Sequence, residues 1–161
     1  GDQIIDVIGS GKGFGLNIEY SKEETLLNTG GGIVKALPWL GSEPFLVISA
    51  DILTDFPFNT LPTSPNSLAH LVLVDNPVYH PVGDFVLDKG KLKLNGGAKL
   101  TYANIGVFRP EFFINSPTGA FPLGDLMRKH IADSLLSGQY YAGLWNNVGS
   151  PQDLELVNNL V

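Results

Sequence analysis

Short apolar runs bounded by turn residues are the feature that most constrains how this chain folds. The run 44–48 is almost wholly apolar, which is typical of a strand buried on both faces of a sheet. Further strands are predicted at residues 16–20, 68–74, 85–87, 92–94, 100–108 and 140–145. Helices are predicted over residues 4–8 and 30–40, over an apolar face from Leu126 to Leu136 that Gly138 ends, and from Pro151. Strands alternating with helices predict an α/β fold with a mostly parallel sheet.

Composition and charge exclude several classes of protein. The net charge of −6 and the absence of any Lys or Arg cluster argue against a nucleic-acid partner. Because the chain has no Cys, it can form neither a disulfide framework nor a thiolate metal site. The first residues do not resemble a signal peptide, and no apolar run approaches the ~20 residues that span a bilayer. We therefore expect a cytoplasmic protein with one core that does not bind a membrane.

A hydroxyl residue and three glycines, at positions 29–32, lead directly into a predicted helix. Glycines let a ligand approach the main chain closely, and a helix N-terminus favours an anion or the polar edge of a base. Thr29 and Gly30 are therefore candidate binding residues. The same pattern is equally compatible with a flexible loop in which Thr29 caps the helix.

Polar residues at the ends of predicted strands are the second set of candidates. Asp51 closely follows the run 44–48, at the carboxyl end of a strand, where ligands collect in open α/β sheets. Mg²⁺ prefers oxygen ligands, and Asn147 offers a second one from a later strand end, although either residue could serve only a turn. Gly83 and Asn104 are weaker candidates beside other strands. The three histidines show no metal-ligand spacing and are assigned no role.

Taken in order along the chain, several blocks resemble the sugar-1-phosphate nucleotidyltransferases, most closely those that act on N-acetylmuramate 1-phosphate. The blocks are LNIEYS at 16–21, TGGGIVKALP at 29–38, FLVISAD at 45–51, HLVLVDNP at 70–77, GDF at 83–85 and WNNVG at 145–149. Each block alone is weak, but their joint order is specific and covers nearly the whole chain.

This resemblance implies a Rossmann-like α/β fold of the nucleotide-diphospho-sugar transferase type, with a mixed, mostly parallel sheet and helices on both faces. It also implies that residues 1–161 form the C-terminal part of a single nucleotidyltransferase domain that lacks its first strand and phosphate loop. On that basis the 161-residue chain alone is expected to be catalytically inactive and to self-associate through an uncovered strand edge.

The implied reaction joins a sugar 1-phosphate, here N-acetylmuramate 1-phosphate, to a nucleoside triphosphate, here UTP, on Mg²⁺ and releases pyrophosphate. The implied roles are nucleotide binding by Thr29 and Gly30, sugar binding by Gly83 and Asn104, and metal binding by the catalytic Asp51 and by Asn147. The chain departs from the muramate-type enzymes at Asn147, where they have Asp. The alternatives are a guanylyl- or thymidylyltransferase for another sugar, and a nucleotide-sugar-binding domain without catalysis.

Overall fold

Residues 1–158 are described by a computed structural model and form a strand-rich α/β structure. The strands are β1 (Phe45–Ile48), β2 (Ile52–Thr54), β3 (Ala69–Val74), β4 (Phe85–Asp88), β5 (Lys91–Lys93), β6 (Lys99–Phe108), β7 (Leu136–Tyr140) and β8 (Trp145–Asn147). The helices are α1 (Asp2–Ile8), α2 (Asn28–Leu40), α3 (Leu123–Ala132) and α4 (Pro151–Asn158). Strands β1, β3, β4, β5 and β6 confirm the sequence prediction to within one residue at each end. Among residues 1–158, every helix is too short or too polar to span a bilayer.

The larger sheet contains six strands in the order β1-β6-β3-β7-β5-β4, and β2 pairs with β8 in a separate ribbon. Strands β1, β3, β4 and β7 share one direction, whereas β5 and β6 run the opposite way. Because β6 is inserted between β1 and β3, the one parallel neighbouring pair among residues 1–158 is β3–β7. The α/β class and the mixed sheet are therefore confirmed, but "mostly parallel" holds for strand directions and is wrong for the pairings.

Helices α2 and α3 cover one face of the six-stranded sheet and enclose the main hydrophobic core. Leu126, Met127 and Ile131 of α3 are almost fully buried against strand residues such as Leu71 and Phe108. Complete burial of one such side chain stabilises the fold by about 1.5–3 kcal/mol, so this interface contributes much of the apolar driving force. The apolar spacing in the sequence of α3 follows from this one-sided burial.

The other face of the sheet carries a smaller hydrophobic cluster. Val72, Ala103 and Ile105 are fully buried there, beneath Phe56 and Trp145. The described members of this cluster belong to strands and loops, and the ribbon β2–β8 packs over this part of the sheet. Aromatic side chains bury apolar surface there, as those of a helix would.

The predicted strand at residues 16–20 is wrong, although its apolar and polar residues do alternate. The segment forms no ladder, and its backbone folds onto the preceding turn, with the Ile18 N–H donating to Ser10 O at 3.1 Å. The Tyr20 hydroxyl donates to Gly9 O at 2.5 Å. Alternation produces a strand only where a neighbouring strand can satisfy the backbone groups, and no such neighbour lies within residues 1–158.

The predicted end of the helix with the apolar face from Leu126 to Leu136 is also wrong, because α3 ends at Ala132 and Gly138 lies inside β7. Ser134 takes the left-handed conformation (φ +60°) that ends the helix. The Leu135 N–H donates to His130 O at 2.9 Å, and the Ser134 N–H donates to Ile131 O at 2.9 Å, which together form a Schellman motif. Because a serine stands where glycine usually ends a helix, the sequence did not reveal this helix end. The strand predicted at residues 140–145 is wrong as well, since these residues contain the gap between β7 and β8.

The glycines at the start of α2 are explained by close packing. Gly31 is buried so near the loop before α3 that a Cβ atom would lie 2.3 Å from Gly119 O. A Cβ atom on Gly30 would lie 2.3 Å from the ring of Phe121. The Gly30 N–H also donates to Phe121 O at 3.1 Å. These positions accept only glycine because α2 and the 119–121 segment touch through their backbones.

We predict that Gly31→Ala lowers the free energy of unfolding by about 1–3 kcal/mol, since backbone atoms rather than a movable side chain oppose the new methyl group. Thermal unfolding checks this, with an expected fall in Tm of roughly 3–10 °C. Gly13→Ala is the matched control, because a Cβ atom there meets nothing within 4 Å. An unfolding temperature equal in both variants would contradict the packing account of the glycine triplet.

Candidate active site

A cavity of about 400 Å³ opens beside the carboxyl end of β1 and the start of α2. Three of the six predicted site residues, Thr29, Asn104 and Asn147, line it together with Ser49. They come from α2, β6, β8 and the segment after β1, so residues far apart in sequence converge on one space. Asp51, Gly30 and Gly83 lie outside the lining of this cavity.

Asn104 reaches the cavity because β6 bulges at this position. The register of β3 on β6 changes between Leu71, which pairs with Gly106, and Leu73, which pairs with Tyr102. Three residues of β6 therefore face one residue of β3, and Asn104 adopts the left-handed conformation with φ +56°. Bulges of this kind redirect a side chain at the edge of a binding site.

Thr29 lies in the first turn of α2 and is exposed to the cavity. The adjacent Gly30 is buried and its N–H is already bonded to Phe121 O, so it faces away from the space that a ligand would enter. Leu27, which precedes the helix, has its N–H bonded to the Glu23 carboxylate at 2.8 Å. Thr29 is thus the residue of the glycine-rich segment that the fold offers to a ligand.

Gly83 belongs to a loop held firmly against the start of β6. The Asn76 amide donates to Lys99 O at 2.9 Å and to Pro81 O at 3.1 Å, while the Thr101 hydroxyl donates to Asn76 Oδ1 at 2.9 Å. Gly83 has φ +67°, and a Cβ atom there would lie 2.6 Å from Asn76 Oδ1. The glycine therefore shapes the loop, and the next residue of the loop reaches the cavity.

That next residue, Asp84, forms a polar group on the cavity wall that sequence reasoning did not assign. Its Oδ2 accepts the Tyr102 N–H at 2.8 Å, and its Oδ1 lies 3.2 Å from His80 Nε2. Burial raises the pKa of the Tyr102 phenol, so this side chain stays neutral over the physiological range. His80 was assigned no role because the three histidines show no metal-ligand spacing, and its contact with Asp84 forms only in the folded loop.

The backbones of Asp51 and Asn147 come together at one end of the ribbon β2–β8. Ile52 pairs with Asn147, and the Val148 N–H donates to Asp51 O at 2.7 Å, so both predicted metal ligands lie at the same end of this ribbon. The Asp51 carboxylate is exposed, whereas Asn147 Oδ1 is buried and has no hydrogen-bond partner among the described residues. An unpaired buried oxygen costs about 1–3 kcal/mol unless a ligand contacts it.

This arrangement fits a cation that substrate oxygens would also coordinate. No cluster of three or more His, Asp or Glu side chains suited to a metal occurs within residues 1–158. Mg²⁺ is commonly held by one or two protein oxygens together with substrate phosphates, so the small ligand set fits its chemistry. Partial burial, followed by the negative charges of Asp153 and Asp51, raises the pKa of Tyr79 on the cavity wall. The carboxylates therefore create a negative potential beside the cavity.

Two further lining residues were missed because their positions depend on packing. Arg128 extends from α3 and forms an exposed ion pair with Asp125 at 3.3 Å. Trp145, in the motif of Asn147, donates its indole N–H to Ala103 O at 2.9 Å and forms part of the wall. The Trp145 position was available in the sequence motif, whereas nothing in the sequence of α3 indicated which face would border a site.

Comparison with known proteins supplies an independent test of the resemblance. N-acetylmuramate alpha-1-phosphate uridylyltransferase of Neisseria meningitidis serogroup B is 41% identical over 160 residues, which cover 93% of this chain and 69% of that protein. The chain belongs to the sugar-1-phosphate nucleotidyltransferases. The enzyme of the same name from Caulobacter vibrioides is 28% identical over 156 residues, covering 88% of this chain and 64% of the relative. No protein-family model matches the chain.

The fold agrees with this family. The inositol-1-phosphate CTP transferase from T. maritima superimposes with a TM-score of 0.77 at 15% identity. The match covers 99% of this chain and 70% of that structure. The nucleotidyltransferase fold is therefore confirmed over nearly the whole chain, while the chain spans about two thirds of the length of its two uridylyltransferase relatives.

We predict that Trp145 reports ligand binding in this cavity through its fluorescence. The chain has two tryptophans, and Trp39 is 60% exposed on α2 and does not line the cavity. Titration with UDP-N-acetylmuramate should change the emission of wild type and of Trp39→Phe, but not of Trp145→Phe. A response that persists in Trp145→Phe would place the ligand elsewhere. The two variants are matched because each leaves one tryptophan.

Proposed function

We propose that this chain supplies the sugar- and metal-binding part of an enzyme that transfers uridylate from UTP to N-acetylmuramate 1-phosphate and releases pyrophosphate. The main support is the cavity itself, into which Thr29, Asn104 and Asn147 converge. The 41% identical relative bears the name of this activity. In the proposed reaction an oxygen of the sugar phosphate attacks the α-phosphorus in line, so positioning of the two substrates is the main task.

Residues of the cavity are well suited to that positioning. Thr29 offers a hydroxyl at the start of α2, where the exposed hydrogen-bonding groups of a helix N-terminus suit a nucleotide base. The Asn104 amide, turned inward by the bulge, offers both a donor and an acceptor to a sugar hydroxyl or amide. Gly83 and Gly30 support these surfaces, since their lack of a side chain permits the close approach of neighbouring backbone segments.

We also propose that Asp51 and Asn147 hold Mg²⁺ in the substrate complex. The unpaired buried Oδ1 of Asn147 and the exposed carboxylate of Asp51, a residue at the same end of the ribbon, are the observations that favour this. The chemistry that a bound Mg²⁺ supplies is neutralisation of negative charge on the phosphates. The protein contributes one charged and one neutral oxygen, so the anionic substrates must provide much of the ligand field.

Several finer proposals accompany this function. We propose that residues 1–161 belong to a single nucleotidyltransferase domain. We further propose that the protein acts in the cytoplasm, where nucleoside triphosphates are available, and that its product returns to peptidoglycan synthesis. A muramate substrate favours this role because N-acetylmuramate is a component of the bacterial cell wall.

A panel assay tests the substrate proposal most directly. The complete gene product is incubated with each nucleoside triphosphate and a set of sugar 1-phosphates, and pyrophosphate release is measured. We expect the highest rate with UTP and N-acetylmuramate 1-phosphate. Preference for GTP or dTTP would instead support a different sugar-nucleotide enzyme. Binding of a UDP-sugar with no turnover of any pair would support the non-catalytic binding domain.

We predict opposite effects for two substitutions at the proposed metal pair. Asp51→Asn removes the only charge of the pair and should lower the rate of the complete enzyme by roughly a hundredfold or more, since charge stabilisation is worth several kcal/mol. Asn147→Asp should lower the Mg²⁺ concentration needed for half-maximal rate, because a hard cation prefers an anionic oxygen. Asp55→Asn is a control, since Asp55 accepts the Tyr141 hydroxyl away from this pair. Unchanged Mg²⁺ dependence in both variants would contradict the assignment.

We finally propose that the 161-residue chain self-associates through the outer edge of β1. Strand β1 has β6 as its one partner in the described sheet, and Leu46 and Ile48 are each 44% exposed. Sedimentation should show concentration-dependent dimers for the wild type and monomers for Leu46→Lys/Ile48→Lys, because edge charges oppose strand pairing. Val78→Lys, at a fully exposed position away from the edge, should behave as the wild type. A wild type that stays monomeric at all concentrations would refute the proposal.

A further inference from the structure

A second cavity, of about 810 Å³, lies at the amino ends of β3 and β7, and none of its described lining residues also lines the candidate active site. His70, Ser137 and Lys91 lie in one row across it. His70 pairs with Ser137 between β3 and β7, and Ser137 pairs with Lys91 between β7 and β5. Directly paired residues share a face of the sheet, so the imidazole, the hydroxyl and the ammonium group belong to the same surface.

Hydrogen bonds connect this row to its neighbours in a continuous chain. His70 Nδ1 lies 2.8 Å from Ser137 Oγ, which lies 2.6 Å from Ser67 Oγ. The Ser67 hydroxyl is also 2.8 Å from Ala69 O, and His70 Nε2 is 3.0 Å from Gln139 Oε1. Four contacts therefore require one proton each. Ala69 O can only accept, and Gln139 turns its Oε1 to His70 because its amide nitrogen donates to Thr60 Oγ1 at 3.2 Å, so neither end supplies a proton.

The proton count depends on the charge of His70. With a neutral imidazole, the two serine hydroxyls and one ring N–H supply three protons for the four contacts, so one contact lacks a proton. An imidazolium supplies the fourth proton, and every contact then becomes a hydrogen bond. Burial opposes that state and lowers the pKa of His70, with a smaller opposing effect from the Gln139 hydrogen bond. Protonation of His70 therefore completes the network, but burial disfavours the imidazolium unless a negative charge lies close to it.

The charged side chains around His70 are mostly cationic, so the negative charge that would stabilise its imidazolium must come from a bound anion. Lys89, Lys91 and Arg109 line the cavity, while Glu111 is the one carboxylate among its described lining residues and is paired with Arg109 at 2.9 Å. Neither lysine forms an ion pair within residues 1–158. The two lysines, which have no such partner, therefore make this cavity locally positive, although the net charge of the chain is −6.

We propose that this second cavity binds a small molecule through an oxyanion group, either a phosphate or a carboxylate, and that binding is coupled to uptake of one proton by His70. The anion would contact the ammonium groups of Lys89 and Lys91. Its charge favours the imidazolium, which in turn completes the hydrogen-bond chain to Ser137, Ser67 and Gln139. This ligand site is separate from the proposed transferase reaction and does not depend on it.

The three histidines allow the site to be tested without measuring catalysis. His70 lies in this cavity, His80 lines the candidate active site, and His130 is buried with its ring on Phe112. Their imidazole C–H signals in NMR therefore report three separate places. Sulfate and acetate are the probes, without Mg²⁺, because each keeps a constant charge between about pH 6 and pH 8, so that a change in affinity over this range reports proton uptake by the protein.

We expect a saturable shift of the His70 signal with at least one probe and no shift of His130. Sulfate binding alone would indicate a phosphate-type ligand, and acetate binding alone a carboxylate. Affinity should rise by roughly threefold or more from about pH 8 to pH 6, since protonation of His70 accompanies binding.

Two matched lysine variants decide whether the cavity is responsible. Lys91→Gln should weaken binding by roughly fivefold, the effect of one cation near a bound anion. Lys93→Gln, on the same strand but outside the lining and paired with Asp88, should leave affinity unchanged. His70→Asn should bind with no pH dependence. The proposal is overturned if neither probe shifts His70, if the two lysine variants bind equally, or if the affinity of the wild type is independent of pH.

Discussion

The irregular pairing of β6 is the constraint on which the rest of the structure depends. This strand lies between β1 and β3 at one end and contacts β4 at the other, so the sheet cannot form without it. A regular ladder would turn alternate side chains evenly to the two faces. The bulge around Asn104 interrupts that alternation and directs an amide toward the cavity. Strand β6 therefore packs in the core and also presents a side chain to a ligand.

The two ends of the sheet differ in how their polar groups are satisfied. Around the first cavity, Asp84 and Asn76 have their hydrogen bonds met by neighbouring backbone, whereas Asn147 Oδ1 has none among the described residues. Around the second cavity, each polar atom of His70 and Ser137 has a partner, but with a neutral imidazole the contacts have one proton too few. Both deficits lie where a charged ligand would relieve them, which is a physical reason to separate ligand sites from polar groups that only support the fold.

The glycines at the start of α2 have a role that differs from the one their sequence suggests. Gly30 and Gly31 suggested a loop open to a ligand, but their close contacts with Phe121 and Gly119 explain them as packing positions. Only Thr29 of that segment lines the cavity. Sequence identifies a position that tolerates no side chain, yet it does not reveal whether a ligand or another part of the backbone occupies the space. That distinction requires the neighbouring segment, which lies about ninety residues away in the chain.

The α/β class, the positions of most strands and the nucleotidyltransferase family could be predicted from the sequence alone, because local apolar patterns and short motifs are properties of neighbouring residues. The tertiary structure decided the insertion of β6 between β1 and β3, the helix end at Ser134 and the convergence of Asn104 with Asn147. It alone placed His80 beside Asp84 and His70 beside Ser137. These depend on long-range pairing and on which backbone groups find partners, and neither is encoded in any single stretch of sequence.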